Sequence, residues 1–110
     1  MAKKNRLNPC DSDCPVRKAM DIVDGKWTLL VIRELLGGKR RFGELLGAIG
    51  NVSPKVLTQR LKLLEDEQLI SKIIYPEVPP RVEYELRERG KQLRSVIESL
   101  AIWGSDLPNK

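Results

Sequence analysis

Residues 42–66 read FGELLGAIGNVSPKVLTQRLKLLED, and the fold turns on this stretch. Apolar side chains at Phe42, Leu45, Leu46 and Ile49 follow the i, i+3, i+4, i+7 spacing of a short amphipathic helix. Gly50-Asn51-Val52 then marks a tight turn. Ser53-Pro54 is a strong restart signal, because a serine oxygen can cap open N–H groups and proline fits the first helical position. The helix that follows runs to about Asp66. Val56, Leu57, Leu61 and Leu64 face inward with Leu63 at the edge, and Lys55, Thr58, Gln59 and Lys62 stand on the opposite arc. A short helix, a glycine-containing turn and a helix with a polar outer arc together form a helix-turn-helix pattern.

The flanks extend this pattern in both directions. Residues 1–14 are polar and unperiodic, the mark of a flexible N-terminal arm. Pro15 opens a helix with Val16, Ala19, Met20 and Val23 on one side, interrupted at Asp24-Gly25. Lys26–Leu36 is a second, largely apolar helix. It ends at Gly37-Gly38, and the basic triplet Lys39-Arg40-Arg41 follows at a turn. Downstream, Leu69-Ile70 begins a change of pattern. Ile73–Tyr75 and the alternating Val82–Leu86 read as strands around the stiff, proline-rich segment Pro76–Arg81. A long helix is expected from about Glu88 to Trp103, with Leu93, Val96, Ile97, Leu100 and Trp103 on one stripe. The fold class is therefore α+β and mainly helical: a winged helix-turn-helix with extra N- and C-terminal helices forming a dimer interface. Residues 15–104 make a single domain, followed by a tail over 105–110.

Charge narrows the function. The formal net charge is +5. Lys39, Arg40, Arg41, Lys55, Arg60 and Lys62 are opposed in their stretch only by Glu44, an excess as large as that of the whole chain. A concentrated positive field favours a polyanion, because each neutralised phosphate releases condensed counterions. A merely solvated basic face is the alternative. The chain has no histidine, so the usual general base and the commonest metal ligand are missing. Two cysteines cannot build a four-ligand zinc site, and no acid/base pair is arranged for catalysis. The expectation is not an enzyme, with no cofactor and no metal. No apolar run is long enough for a membrane span and no signal-peptide segment follows the basic start, so the expected location is cytoplasmic.

On the outer arc, Lys55, Thr58, Gln59 and Lys62 offer donors and acceptors for base edges or adjacent phosphates. Ser53 and the backbone around it suit a phosphate, and Arg60, nearer the apolar boundary, suits one too. Lys39, Arg40 and Arg41 add backbone contacts, and Arg81 near the tip of the hairpin can lie beside the reading helix. The expected partner is a double-stranded DNA operator. Val16, Met20, Leu93, Val96, Ile97, Leu100 and Trp103 form the expected homodimer interface. Trp103 is its anchor, unless that ring closes the monomer's own core. A winged-helix interaction module without specific DNA binding is the competing class.

These residues also carry a family likeness. Cys14-Pro15, Ile22-Val23-Asp24-Gly25-Lys26-Trp27, Arg41-Phe42-Gly43-Glu44-Leu45, the run Ser53–Glu65, Val78–Tyr84, Gly90 and Trp103 stand in an order that resembles the HxlR-type bacterial winged-helix regulators. That family is related to the multiple-antibiotic-resistance regulators. The resemblance implies a homodimer built by the first and last helices, with the helix after Ser53 in the major groove and the loop around Pro79 as the wing. It further implies that Cys14 can sense electrophiles or oxidants, with an oxidant or small molecule as effector. Arg17 and Lys18 near a helix N-terminus favour the thiolate, and Asp11 and Asp13 oppose it. With Cys10 close in sequence, an intrachain disulfide, an intersubunit one and neither all stay open. Three departures stand out. Asp24 takes a position where the family usually repeats glycine. Gln68 stands at a common glycine position, so a connection without a left-handed residue is expected there. Arg87 replaces a threonine that could cap the last helix.

Overall fold

The computed structural model describes residues 14–23 and 25–109. The expected arm with Cys10, and Asp24, lie outside the described residues. The elements run α1 (Pro15–Ile22), α2 (Lys26–Leu35), β1 (Arg40–Arg41), α3 (Phe42–Ile49), α4 (Pro54–Asp66), β2 (Ile70–Tyr75), β3 (Arg81–Leu86), α5 (Glu88–Lys91) and α6 (Arg94–Ser105).

The core is organised by α2. Thr28, Val31, Ile32 and Leu35 repeat at helical spacing and are all buried. Leu45 from α3 and Leu57, Leu61 and Leu64 from α4 pack into the same cluster, and the sheet closes it with Leu69, Ile70, Tyr84 and Leu86. Three helices thus stand against a small antiparallel sheet of order β1-β3-β2. In the central strand, Tyr84 and Leu86 are buried and Val82 packs beside them, so the alternation in the sequence separates a core row from the row Arg81, Glu83, Glu85. β2 pairs with it from Ile70↔Leu86 to Tyr75↔Arg81, which leaves a five-residue tip over 76–80.

The connection between α3 and α4 depends on two left-handed residues in succession, Gly50 at φ 67° and Asn51 at φ 51°. Glycine has no Cβ to clash there, and asparagine is among the side chains that tolerate the region. Val52 then turns back into the core.

Three expectations need correction. The basic triplet is not only a turn: Arg40 and Arg41 form β1 and pair with Tyr84 and Glu83. A strand of two residues is too short to show period-two alternation in a sequence. The last helix is not continuous from Glu88 to Trp103 but breaks at Gln92-Leu93 into α5 and α6. Leu93 N–H bonds the Gly90 carbonyl at 3.1 Å, a tightened turn that brings Leu93 and later Ile97 onto the core. Finally, Gln68 is left-handed, with φ 63°. It closes α4 as a Schellman motif: Leu69 N–H donates to Leu64 O at 2.9 Å and Gln68 N–H to Glu65 O at 3.0 Å, with Leu64 and Leu69 both buried. The hydrogen bonds and the apolar contact hold a glutamine where glycine is easier. Arg87 supplies no side-chain cap to α5, as its departure from threonine implied.

Gly90 has the opposite requirement. A Cβ there would collide with the Leu69 carbonyl oxygen and lie 2.7 Å from Leu86 Cδ2. α5 therefore packs against the open end of the hairpin, beside the Ile70–Leu86 pair, only because residue 90 has no side chain.

These two sites predict opposite outcomes in urea unfolding. Gly90→Ala should lower stability by about 2 kcal/mol through overpacking. Gln68→Gly should raise it by about 1 kcal/mol by relieving the left-handed side chain.

Candidate nucleic-acid interface

The candidate surface begins at Ser53, whose Oγ accepts a hydrogen bond from Val56 N–H at 3.1 Å. With Pro54 at the first helical position, this fixes where α4 starts, a cap typically worth about 1 kcal/mol. From that start the helical period places Leu57, Leu61 and Leu64 inward and leaves Lys55, Thr58, Gln59 and Lys62 exposed on the outer arc.

The four residues of this arc are not equivalent. Thr58 Oγ1 donates to Pro54 O at 2.8 Å, so on this exposed residue the oxygen's lone pairs remain to accept and the methyl group adds an apolar contact. A methyl group and an acceptor suit a thymine methyl or a base amine. Lys62 Nζ lies 3.1 Å from Asp66 Oδ1, with both side chains largely exposed. This hydrogen bond and charge hold the ammonium above the ordinary lysine pKa. An exposed pair of this type contributes little and exchanges readily, so Lys62 stays available to a stronger anion. Asp66 also puts a carboxylate at the helix's C-terminal end, which favours the N-terminal half as the part that approaches a phosphate backbone. Arg60 is half-buried on the flank, and its Nε is buried without a hydrogen-bond partner.

The basic triplet spreads over different surroundings. Arg41 is exposed at the start of α3, where its backbone N–H donates to Glu44 Oε1 at 2.8 Å. Arg40 is half-buried and folds back over the preceding turn, near the Lys39 carbonyl and Gly37. The Lys39 ammonium is directed to the Tyr75 hydroxyl and toward Glu85 and Glu83, which together hold its pKa above the usual value.

The wing carries a network invisible to sequence spacing. Arg81 stacks its guanidinium 4.0 Å from the centre of the Tyr75 ring. The same group approaches Glu77 at 3.4 Å and Glu83 at 3.8 Å, and the Tyr75 hydroxyl donates to Glu83 at 2.9 Å. Cross-strand register explains the set, since Tyr75 sits directly opposite Arg81. Lys72 on β2 is a further exposed cation. It follows Ile70 on the same strand face, but beyond the edge of the core, and is exposed together with Ile74. Alternation over 70–75 was the signal that could have found it.

A second kind of surface lies on the terminal helices. Val16 and Met20 of α1 are exposed, as are Val96, Leu100 and Trp103 of α6, Trp103 at 66%. Leu93 and Ile97 are instead half-buried against the core. Leu107 extends the exposed row past the end of α6, and Ile102 is exposed on another part of the helix, about 100° around its axis from Trp103. Cys14 is 4% exposed and sits at the start of α1, where its carbonyl accepts from Lys18 N–H at 3.1 Å. Among the described residues, no helix is long and apolar enough to cross a membrane, and no group of three or more metal-ligating side chains converges.

A polar-faced helix held by a four-residue turn beside a three-stranded sheet with a protruding hairpin defines the winged helix-turn-helix class. The chain belongs to the HxlR-like helix-turn-helix family, whose model matches residues 22–110. It is 46% identical over 93 residues to the HTH-type transcriptional regulator sll1512 of Synechocystis sp., spanning 84% of this chain and 69% of that one. A MarR-family transcriptional regulator from Porphyromonas gingivalis W83 matches with a TM-score of 0.86 at 43% identity, over 97% of this chain and 100% of that chain. The redox regulator HypR, in its oxidized form, matches with a TM-score of 0.83 at 31% identity, over 88% of this chain and 100% of that chain. The chain is thus a DNA-binding transcription regulator of the helix-turn-helix type.

Proposed function

We propose that the chain acts as a homodimer on a specific double-stranded operator in the cytoplasm, with α4 in the major groove. The observation that carries this reading is the exposed arc Lys55, Thr58, Gln59 and Lys62 on a helix whose start is fixed by the Ser53 cap. Gln59 presents the paired donor and acceptor that suit an adenine edge, and the lysines suit phosphates or guanine. Ser53, Arg41 and Arg60 flank this arc as phosphate contacts. Lys39 and Arg40 are the weaker candidates, because each is turned toward neighbours within the sheet and its preceding turn.

Support for the dimer comes from α6. An exposed row of Val96, Leu100 and Trp103 on one helix, with Ile102 exposed besides, is unusual for a chain that stays alone in water. The molecule is also extended, with a radius of gyration of 16.1 Å against about 13 Å for a compact domain of similar length. Pairing α1 and α6 with a second copy covers that row. It also sets two reading helices on one duplex, about 34 Å apart if they enter successive turns of the major groove.

Two measurements test these points. Affinity for the duplex upstream of its own gene is expected to fall steeply between low and moderate salt. Gln59→Ala should weaken that duplex by about tenfold and random DNA far less. Equal losses on both duplexes would leave an electrostatic contact without base reading, and no salt-dependent binding at all would favour the interaction-module class. In sedimentation at micromolar concentration the 12.5 kDa chain should run as a dimer, and Trp103→Ser should shift it toward the monomer.

Oxidant sensing through Cys14 is a second reading, favoured by the likeness to a redox regulator. Burial of the thiol means that it must first become exposed to react. Diamide treatment should then change DNA affinity in the wild type and leave Cys14→Ser unaffected. A response that persists in Cys14→Ser removes this residue from the role.

A further inference from the structure

The tip of the wing is electrically balanced, and the balance has a consequence for DNA. Between Tyr75 and Arg81 the sequence carries one cation, Arg81, and one carboxylate, Glu77. They face each other at 3.4 Å. The guanidinium is also fixed from two other sides, by the Tyr75 ring at 4.0 Å and by Glu83 at 3.8 Å. Glu83 is itself held by the Tyr75 hydroxyl at 2.9 Å.

These partners differ in how firmly they hold. Tyr75 and Glu83 belong to paired strands and are half-buried, so they stay where the register places them. Glu77 lies in the tip loop with its side chain 50% exposed, where an ion pair is weak and screened. Its carboxylate lies against a single guanidinium nitrogen, Nη2, of a group that can also bind phosphate oxygens.

We propose that Glu77 is a built-in competitor for the phosphate backbone at the wing. In the free protein its carboxylate occupies Arg81, and on the duplex a phosphate takes that place while Tyr75 and Glu83 keep the guanidinium aimed. Arg81 is then the wing's contact residue, Tyr75 and Glu83 are positioning residues, and Glu77 sets how tightly the wing holds any sequence. This inference rests on the reading of the chain as a DNA-binding protein. It goes beyond that reading in assigning a negative residue on the protein to the control of affinity.

The test is a double-mutant cycle on the full chain, read by fluorescence anisotropy with a random-sequence duplex, since a phosphate contact needs no operator. Glu77→Gln should tighten binding about two- to fivefold, the range for removing an exposed pair. Arg81→Gln should weaken binding and lower the slope of log affinity against log salt by about one. The gain from Glu77→Gln should vanish when Arg81→Gln is also present. Thermal melts check that both variants fold, and Glu77→Gln, in an exposed loop, keeps the question answerable if Arg81→Gln does not. If the gain persists without Arg81, Glu77 merely repels DNA through space and the exchange is wrong. The exchange is equally wrong if Glu77→Gln weakens binding or leaves it unchanged, or if the salt slope ignores Arg81. A wild type that binds no duplex would instead overturn the DNA-binding reading on which the exchange stands.

Discussion

Everything in this fold is held in place by one buried stripe on α2. Thr28, Val31, Ile32 and Leu35 repeat every third or fourth residue and meet α3, α4 and the sheet on a single face. Each large side chain in that stripe contributes roughly 1.5 to 3 kcal/mol by leaving water. A domain of this size has a total stability of only about 5 to 15 kcal/mol, so a single cavity there loosens every element at once. The surface helix α4 has no other anchor of this strength, because its outer arc is wholly polar. Its direction is therefore set from behind, by Leu57, Leu61 and Leu64 against α2.

Backbone constraints then complete what packing begins. The left-handed pair Gly50-Asn51 fixes the angle at which α4 leaves α3, the Ser53 cap fixes where it starts, and the Schellman motif at Gln68 fixes where it stops. Between these limits the helical period alone decides which side chains face outward. That is why a handful of local signals positions a surface whose members are spread over ten residues. Electrostatics sorts them further. Thr58 is bound to its own helix, Lys62 shares an exposed pair with Asp66, and Lys55 and Gln59 project without such ties among the described residues.

Much of this was legible in the sequence, for a definite reason. The helices over 42–49 and 54–66 and their turn show strong periodicity bounded by unambiguous punctuation, and the hairpin has alternation on one strand with prolines between. What escaped falls below the resolving power of such patterns. β1 is two residues long, and its partner is more than forty positions away. The break at Gln92-Leu93 has no proline or glycine of its own. It shows only as a tightened turn, Leu93 N–H to the Gly90 carbonyl, that seats Leu93 on the core. At Gln68 side-chain propensity opposes a left-handed residue, whereas two hydrogen bonds and the burial of Leu64 and Leu69 override the steric cost. The wing network was hidden for a related reason: Tyr75, Glu77, Arg81 and Glu83 meet only once the register is known, and register is a property of the pair of strands rather than of either one.

The same distinction explains α6, which is apolar on two sides for two different purposes. Leu93 and Ile97 face the chain's own core, and Val96, Leu100, Ile102 and Trp103 face outward. A single stripe in the sequence cannot separate these roles, because residues three and four apart lie on adjacent parts of one helix surface. In space the two sides are connected. Ile97 and Leu100 border a groove of about 240 Å³ with Leu29 and Leu30 of α2, and Arg94 reaches the Leu36 carbonyl at 3.4 Å. α2 in turn supports α4. A continuous path of packed side chains therefore runs from the exposed apolar face, through α2, to the polar arc. α2 is common to both surfaces, with Leu29 and Leu30 toward α6 and the stripe Thr28, Val31, Ile32 and Leu35 behind α4.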